Sequence, residues 1–348
     1  MNLHEKYILR CIELAKKALS TTYPNPRVGC VIVHKDIIIG EGYTSPYGGN
    51  HAEVNAIESV KDKSLLSQAS LYVTLEPCSH FGKTPPCSDL IIKHKIPNVI
   101  IGTVDTNEKV SGRGIKKLIE AGCTVKIGVL EDECNEHHKR FFTFHNKKRP
   151  YIILKWAQSE DGFISPAHKN SMKPVWITNT YSRQLVHKWR SEEQSILVGT
   201  KTIFDDNPSL TTRDWKGNSP VRIVIDRELK TKKNCSVWDK SVKTIFLSDI
   251  TIKEEGELDN IHIEKIDFTK DIALQICNIL YKHELLSVII EGGTKTIQTF
   301  INAGLWDEAR VFSSSLNFIE GTKAPILSGN LVSNQKIIDD TLKTYKKS

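Results

Sequence analysis

The sequence predicts an α/β protein of two domains. Its 348 residues suit two domains of about 150 residues each, although one large or three small domains would also fit that length. Hydrophobic residues make up 39% of the chain and charged residues 26%, which is typical of globular rather than disordered proteins. Strand and helix patterns alternate along both halves, and this alternation predicts sheets covered by helices.

The first half begins with a predicted helix, because apolar residues between Tyr7 and Ala18 recur at helical spacing. The same segment carries Glu5 and Glu13 and lacks an unbroken apolar core, so we do not expect a secretory signal. Strands are predicted at 27–33, 36–43, 71–77, 98–105 and 124–130, and helices at 52–60, 87–96, 114–123 and from 131 onward. The order ββαβαβα predicts a largely parallel sheet with helices on both faces.

The polar, basic segment 145–150 ends in proline and is the predicted linker, which gives domains of residues 1–147 and 148–348. In the second half, strands are predicted at 151–157, 195–199, 220–226, 243–249, 287–293 and 308–316, and helices at 179–190, 271–284 and 294–304. The polar stretch 251–260 is predicted to be a surface loop. The halves share no motif, so we expect two different domains rather than a repeat.

The composition also limits the partners of the protein. No apolar run approaches the roughly 18 residues of a membrane span. The net charge of +7 is scattered and forms no basic block of the nucleic-acid-binding type. Eight cysteines without an export signal predict reduced thiols. We therefore expect a cytoplasmic homo-oligomer that acts on a small molecule, with neither a membrane nor a nucleic-acid partner.

His51, Cys78 and Cys87 form a candidate zinc site, because each follows a predicted strand or opens a predicted helix. One imidazole and two thiolates suit zinc, and three protein ligands leave a fourth position for a catalytic water whose pKa zinc lowers to about 7. Glu53 follows His51 by two residues, so it can face that water and move its proton without binding the metal. Zinc deaminases carry this H-x-E and P-C arrangement.

The rest of the cysteine and histidine content is less specific. The zinc deaminase signature separates its two cysteines by two residues, whereas eight residues separate Cys78 from Cys87. The other cysteines, at positions 11, 30, 123, 134, 235 and 277, are expected to be small core or surface residues. The pair 137–138 is expected on a solvated helix face. His80 and Lys83 lie in the spacer, where substrate contact and simple solvation are equal alternatives.

The long spacer also carries a family resemblance. The segments PCSHFGKTPPC, TYPNPRVGCVIV and HAEVNAI closely resemble the deaminase domain of the bifunctional riboflavin-biosynthesis deaminase/reductases of the RibD type. Cytidine, guanine and tRNA adenosine deaminases keep the short P-C-x-x-C instead. The segment 105–110 departs from the family's D-P-N-P-x-V and loses two prolines, but no proposed ligand. The resemblance implies a three-layer, cytidine-deaminase-like domain with Glu53 as its catalytic residue and Asn25 at the substrate.

In the second half, Glu291, Gly292 and Gly293 follow a predicted strand and open a predicted helix. Glycines there let the backbone approach a phosphate at a helix N-terminus, although a plain tight turn is an equal alternative and the pattern is not G-x-G-x-x-G. The segments KWAQSEDG, WIT and GTKTIFDDNP, followed by Leu210 and Arg213, resemble the reductase domain of the same family. The resemblance extends to about residue 330, and the tail beyond it is uninformative.

This resemblance implies a dihydrofolate-reductase-like α/β domain that uses NADPH. The implied cofactor residues are Ala157, Trp176, Thr202, Asp206, Gly293, Thr294, Lys295, Thr296, Ile297, Gln298 and Thr299. The implied substrate residues are Arg190, Leu210, Arg213 and Glu291. The arginines suit a ribose phosphate, because a guanidinium forms paired, charge-assisted hydrogen bonds. The chain departs from the family at Pro174, where a serine is usual near the substrate phosphate, and at Glu160, where an apolar residue is usual.

These features predict a bifunctional enzyme. Its first domain would use zinc to deaminate 2,5-diamino-6-ribosylamino-4(3H)-pyrimidinone 5′-phosphate. Its second domain would use NADPH to reduce the ribose of 5-amino-6-(5-phosphoribosylamino)uracil to a ribityl chain. Asp206 would give polar help at the sugar in this second reaction. A deaminase of nucleic-acid bases is one alternative, but it would need a basic, aromatic-lined groove. A metal-stabilised module with an inactive reductase fold is another, and Glu53 with a three-ligand site argues against it.

Overall fold

The computed structural model describes residues 1–18, 21–81, 85–106, 111–168, 174–250 and 260–347. It divides into two units, Met1–Lys148 and Arg149–Ser348. Lys83, residues 107–110 of the turn that departs from the family, and residues 251–259 of the predicted surface loop lie outside the described residues. In the part of the chain that is described, no helix is both long enough and apolar enough to cross a membrane.

The first unit is a mixed sheet between two layers of helices. Its described strands are β1 (Gly29–His34), β2 (Ile37–Tyr43), β3 (Ser70–Leu75), β4 (Asn98–Thr103) and β5 (Thr124–Ile127). Its described helices are α1 (Leu3–Lys17), α2 (Ala52–Ser59), α3 (Cys87–Lys93), α4 (Arg113–Glu120) and α5 (Glu131–Lys147). The strands lie in the order β2-β1-β3-β4-β5.

Alternation along the strands builds the two faces of this sheet. Cys30 and Ile32 of β1 pack in a buried cluster with α2, α3 and α4, whereas Val31 and Val33 pack with α1 and α5. A Cβ atom at Gly29 would lie 1.9 Å from the carbonyl oxygen of Cys11 in α1, so only glycine allows helix and strand to approach this closely. The three-layer arrangement predicted for this domain is confirmed.

The prediction of a largely parallel sheet holds for only half of the strand pairs. Strand β1 is antiparallel to both β2 and β3, while β3, β4 and β5 are parallel to one another. The hairpin reverses the chain between β1 and β2, and the crossover through α2 then makes β3 run in the direction of β2. Strand β3 pairs with β1, on the side away from β2, and is therefore antiparallel to it.

Helix α5 differs from the sequence prediction in two ways. It continues through Lys147, so half of the predicted linker at 145–150 is helical, and the left-handed Lys148 ends the helix. His137 and His138 are not on a solvated face. The ring of His137 is 2.8 Å from the Arg27 carbonyl oxygen, and the buried ring of His138 is 3.1 Å from the Thr74 hydroxyl. Each imidazole has a hydrogen-bond partner, which makes its burial acceptable.

The second unit is built on one long sheet. Its described strands are β6 (Tyr151–Gln158), β7 (Phe163–Pro166), β8 (Ser195–Gly199), β9 (Val221–Ile225), β10 (Thr244–Ser248), β11 (Ile261–Lys265), β12 (Ser287–Glu291), β13 (Glu308–Ser313), β14 (Gly321–Lys323), β15 (Asn330–Ile337) and β16 (Asp340–Lys346). Its described helices are α6 (Thr180–Glu192), α7 (Thr200–Asp206), α8 (Ile272–Lys282) and α9 (Thr294–Asn302).

The main sheet has the order β11-β10-β9-β8-β12-β6-β13-β16-β15, and β7 pairs with β14 separately. It is parallel from β11 to β13 and antiparallel at β16 and β15. Helices α8 and α9 cover one face, where Ile297 and Phe300 pack with Ile290, and α6 and α7 cover the other. Because the strands from β11 to β13 are parallel, their carboxyl ends lie along one edge, and β8 and β12 each lead there into a helix.

Candidate metal centre and ligand cleft

The three predicted metal ligands lie together in the first unit. His51 Nδ1 is 3.6 Å from Cys78 Sγ and 3.3 Å from Cys87 Sγ, and the three ligand atoms all lie within 4.8 Å of one another. A tetrahedral zinc ion with ordinary bond lengths would separate a nitrogen and a sulfur ligand by about 3.6 Å. The donor set and its spacing therefore fit zinc.

Two helix N-termini position these ligands. His51 is the N-cap of α2, and Cys87 is the first residue of α3. The backbone N–H of Cys87 donates to Cys78 Sγ at 3.3 Å, and the N–H of Ser88 donates to the Cys78 carbonyl oxygen at 3.1 Å. Hydrogen bonds from Cys87 and His51 lower the pKa of Cys78 to about 4. A thiol with such a low pKa is ready to bind a metal as the thiolate.

Glu53 lies in the first turn of α2, two residues after the predicted ligand His51, and is only 4% exposed. Burial raises the pKa of Glu53 to about 7, and the negative charge of Cys78 acts in the same direction. A carboxyl group with a pKa near neutrality can both accept and donate a proton during turnover. The structure thus places a buried carboxyl group that is suited to proton transfer in the same turn as the predicted ligand His51.

Other residues predicted near this site have different surroundings. Asn25 is half-buried in the turn before β1, where its backbone N–H donates to the Thr22 carbonyl oxygen at 3.0 Å. His80 is exposed in the segment between the two cysteines.

All eight cysteines are described, and each has a free thiol. Of the six that were not predicted as ligands, four are buried and two are half-buried, as expected of core and near-surface residues.

The second unit contains a cleft of about 1440 Å³, into which the carboxyl ends of β6, β8 and β12 open. Open parallel sheets usually bind ligands at this edge. The cleft is lined by these predicted residues: Ala157, Trp176, Arg190, Thr202, Asp206, Leu210, Arg213, Glu291, Gly293, Thr294, Lys295, Thr296, Gln298 and Thr299. Ile297 is the exception, because its side chain is completely buried in the core beneath α9.

The N-terminus of α9 faces this cleft. Gly293 is its N-cap, no side chain caps it among the described residues, and a Cβ atom at Gly293 would meet nothing within 4 Å. At Gly199, by contrast, a Cβ atom would lie 2.7 Å from the Thr296 hydroxyl oxygen, so glycine lets the end of β8 pack beside α9. Open space and free backbone N–H groups at a helix N-terminus suit a phosphate group.

A charged cluster lies at another part of the cleft. Arg190 donates to Glu291 across 2.8 Å, and Lys155 lies 3.9 Å from the second oxygen of the same carboxylate. Burial raises the pKa of Glu291, but the charges of Arg190 and Lys155 outweigh this effect and lower it to about 2. Among the described residues, Arg190 Nε and Glu291 Oε1 have no hydrogen-bond partner. Such buried atoms suggest a network that a ligand completes.

Arg213 and Leu210 occupy the loop after α7. The exposed Arg213 guanidinium donates to the Ser209 hydroxyl, and its backbone N–H donates to His187 Nδ1 at 3.1 Å. Leu210 has a left-handed backbone, and its side chain packs in the core next to Ile203. Arg213 is therefore better placed than Arg190 to meet a charged group that enters from solvent, since Glu291 already neutralises Arg190.

The structure adds Arg183, His187 and Lys155 to the lining of the cleft. The guanidinium carbon of Arg183 lies 4.7 Å from the ring centre of Trp176, which is 56% exposed. The spacing of Arg183, His187 and Arg190 by four and then three residues was a usable signal, because such residues share one face of a helix. Pro174 lines the cleft, whereas Glu160 is exposed and is not among the lining residues.

Two family models match different parts of the chain. A family model described as "Cytidine and deoxycytidylate deaminase zinc-binding region" matches residues 1–103, and one described as "RibD C-terminal domain" matches residues 150–344. The chain is 37% identical to the riboflavin biosynthesis protein RibD of Aquifex aeolicus, with 99% of this chain and 94% of the relative covered. It is 38% identical to RibD of Bacillus amyloliquefaciens, with 93% and 88% covered.

A solved structure is similar over the same length. The diaminohydroxyphosphoribosylaminopyrimidine deaminase/5-amino-6-(5-phosphoribosylamino)uracil reductase of Thermotoga maritima is 36% identical, covers 99% of both chains and has a TM-score of 0.89. The predicted dihydrofolate-reductase-like fold of the second domain is confirmed through the match to the reductase family. The chain therefore belongs to the RibD family of bifunctional riboflavin-biosynthesis enzymes, with a zinc-binding deaminase domain followed by an NADPH-dependent reductase domain.

Proposed function

We propose that this chain deaminates the diaminopyrimidine ribosylamine 5′-phosphate in its first domain and reduces the ribose of the resulting aminouracil in its second. The observation that carries the proposal is the convergence of His51, Cys78 and Cys87 beside the buried Glu53. A metal-stabilised module would have no use for a buried carboxyl group at a three-ligand site. The similarity to the Thermotoga maritima deaminase/reductase supports the choice of substrates.

In the deaminase site, His51, Cys78 and Cys87 would hold the zinc ion. When bound there, zinc would act as a Lewis acid and lower the pKa of a water molecule that it holds. Glu53 would accept one proton from the attacking water and pass it to the ring nitrogen. It would then accept a second proton from the new hydroxyl group and pass it to the departing amine, which leaves as ammonia. Its pKa of about 7 suits both transfers, because neither protonation state is strongly favoured at neutral pH. Asn25 is proposed to contact the substrate.

In the reductase cleft, the predicted residues divide between two ligands. The N-terminus of α9, from Gly293 to Thr299, would hold the pyrophosphate of NADPH, with the backbone of Ile297 as its only contribution because its side chain is buried. Ala157, Trp176, Thr202 and Asp206 would line the rest of the cofactor site.

The substrate would lie against the remaining predicted residues. Arg213 supplies an exposed guanidinium for the ribose phosphate, and Leu210 lines the cleft beside it. Glu291 and Arg190 are already paired with each other. Their remaining atoms, Glu291 Oε1 and Arg190 Nε, would form hydrogen bonds with polar groups of the substrate. NADPH supplies the hydride, so these residues orient the sugar rather than perform the chemistry. Asp206 is proposed to give polar help at the sugar.

The proposal extends to assembly and location. We propose a homo-oligomer in the cytoplasm, and the eight free thiols are consistent with a reducing compartment. Sedimentation of the purified chain would test the oligomer, and fractionation of the source cells would test the location.

The deciding experiment follows both activities in the full-length protein. The diaminopyrimidine ribosylamine phosphate should release ammonia, and NADPH should then be oxidised in a second step. Single-stranded DNA and RNA that contain cytosine and adenine should release no ammonia under the same conditions. Ammonia from the nucleic acids but not from the pyrimidine phosphate would contradict the proposal and favour the alternative deaminase. Zinc binding without either activity would favour the inactive module.

A further inference from the structure

Glu76 lies two residues before Cys78 and is bound to a distant part of the first unit. It is 4% exposed. Its carboxylate accepts hydrogen bonds from four backbone N–H groups, which belong to Gly112 (3.0 Å), Gly114 (2.9 Å), Ile115 (3.3 Å) and Asp105 (3.4 Å). A buried carboxylate with this many donors is fixed in one position.

Three of these donors belong to the start of α4. The N-cap of this helix is Gly112, which has a left-handed backbone and offers no side chain for capping. The free N–H groups at the start of a helix require acceptors, and a negative charge is favoured there by the helix dipole. The carboxylate of Glu76 supplies both, although it comes from 36 residues earlier in the chain.

A second contact joins the same two segments. A Cβ atom at Gly114 would lie 2.1 Å from the carbonyl oxygen of Pro77, so only glycine lets the backbone before Cys78 approach α4 this closely. Strand β3 ends at Leu75, which means that Pro77 and Cys78 lie beyond its ladder of hydrogen bonds. The backbone of Pro77, just before Cys78, therefore packs against the start of α4.

We propose that Glu76 is a positioning residue that sets the place of the Cys78 thiolate in the zinc site. This inference rests on the proposed deaminase function. Zinc tolerates errors of only about 0.2 Å in ligand distance. Cys78 meets that demand only if its backbone is fixed relative to His51 and Cys87, which begin two other helices. The hydrogen bonds between the Glu76 carboxylate and the start of α4 fix the backbone that leads from β3 to Cys78.

The test compares Glu76→Gln with wild type in the full-length protein. The glutamine amide keeps one acceptor oxygen but turns an NH₂ group toward backbone N–H donors. The substitution therefore weakens the hydrogen bonds to the start of α4 with little change in side-chain volume. We expect zinc to leave the variant about 10- to 100-fold faster, as is typical when a residue that supports a metal ligand is lost. The cobalt-substituted variant should also show a weaker or shifted thiolate-to-cobalt absorption band. Deamination kcat should fall in parallel while the substrate KM changes little.

Asp89→Asn is the matched control. Asp89 forms a partly exposed ion pair with Lys117, which links α3 to α4 without touching the stretch before Cys78. Its loss should change neither zinc release nor the cobalt spectrum. Glu76→Asp should give an intermediate result, because it keeps two acceptor oxygens but withdraws them by one methylene group.

The outcomes separate this inference from the proposed function. Wild-type zinc release and cobalt spectrum in a folded Glu76→Gln would overturn the positioning role alone. Wild-type protein that binds no zinc would overturn the deaminase proposal and the inference with it. If Glu76→Gln does not fold, Glu76→Asp decides. Altered zinc release in a folded Glu76→Asp supports the inference, whereas wild-type zinc binding or a second failure to fold assigns Glu76 to stability and overturns it.

Discussion

Arg190 and Glu291 form an ion pair of 2.8 Å in which the two side chains are only 11% and 13% exposed. Glu291→Gln would leave the positive charges of Arg190 and the nearby Lys155 without their carboxylate. Removing one partner of a buried pair costs about 3–5 kcal/mol. We expect the free energy of unfolding of the second unit to fall by about 3 kcal/mol, and reductase activity to fall with it.

Tryptophan fluorescence can measure this loss in the intact chain, because all six tryptophans lie after residue 150. The control is Glu192→Gln on α6, the helix that carries Arg190, which removes a more exposed pair with Lys188. Exposed pairs are worth about 0–1 kcal/mol, so the control should unfold almost like wild type. Equal denaturation midpoints for Glu291→Gln and Glu192→Gln would contradict the importance of the buried pair.

The zinc site should separate metal binding from proton transfer. Cys87→Ala removes a proposed ligand, so elemental analysis should find little zinc in the purified variant. Glu53→Gln should keep about one zinc per chain, because Glu53 is not a proposed ligand, yet deamination should fall by at least about 100-fold. Both variants should still reduce the pre-deaminated substrate. Undiminished zinc in Cys87→Ala would refute the ligand assignment.

The reductase cleft should separate substrate from cofactor. Arg213→Ala removes a charge-assisted hydrogen-bonding group worth about 1.5–3 kcal/mol. This corresponds to about a 10- to 150-fold loss, which should fall on the aminouracil substrate and leave NADPH affinity nearly unchanged. The loss should shrink for a substrate that lacks the phosphate. If Arg213→Ala instead weakens NADPH binding and spares the substrate KM, Arg213 contacts the cofactor.

Gly293→Leu provides the converse test. The space around Gly293 is open, so the side chain should be tolerated by the fold but should obstruct the approach of a pyrophosphate to the backbone. We expect weaker NADPH binding in a titration, with deamination unchanged. Normal NADPH affinity in this variant would remove the N-terminus of α9 from the cofactor site.

The half-buried His137 and the buried His138 should make the first unit sensitive to acid. Burial and the charge of Arg27 lower the pKa of His137 to about 3, and burial lowers that of His138 well below 6.5. Below about pH 6.5 both histidines become protonated in the unfolded chain but stay neutral in the folded chain. The free energy of unfolding must therefore fall as the pH falls. The effect is at most about 1.4 kcal/mol per pH unit for each histidine.

Hydrogen exchange of the α5 and β3 amides at about pH 7.5 and about pH 5.5, corrected for the intrinsic rate, would measure this loss. The double variant His137→Gln, His138→Gln keeps polar side chains but cannot be protonated, so its opening free energy should depend less on pH. An equal pH dependence in wild type and in the double variant would show that other groups are responsible.

The division of the chain can be tested with fragments. We expect residues 1–148 to deaminate alone and residues 149–348 to oxidise NADPH with the aminouracil substrate, since each unit has its own buried core. Activity and circular dichroism of the purified fragments are the measurements. Insoluble or inactive fragments would mean that each unit depends on the other.

The sequence predicted best where periodicity or ligand chemistry is strong. Strands such as β6 and β12 are apolar runs because both faces of their sheet are covered, and the proposed zinc ligands, which lie together in the structure, have a distinctive spacing in the sequence. The hairpin of β15 and β16 was missed, because most of β15 is exposed and few apolar residues mark its alternation. His137 and His138 were misplaced, since their burial depends on the Arg27 carbonyl and the Thr74 hydroxyl, which are distant in sequence.

In the cleft, every residue predicted from the sequence except Ile297 belongs to the lining, but the sequence did not predict how these residues pair. Arg190 and Arg213 were given the same role, yet Glu291 neutralises only Arg190. That difference arises from a contact across 101 residues, which local spacing cannot indicate. Ile297 was included because it lies within a contiguous motif, but a helix that lies on a core must turn some of its residues inward.

The contact between Gly29 and the carbonyl oxygen of Cys11 bears on how relatives of this protein should be recognised. The glycine in the motif NPRVG sets the distance between a helix and a sheet, so it would persist in a descendant that had lost zinc, Glu53 and all activity. A search based on that motif would therefore collect proteins that share an architecture. To distinguish active deaminases from inactive relatives, such a search would also have to include the proposed zinc ligands and Glu53.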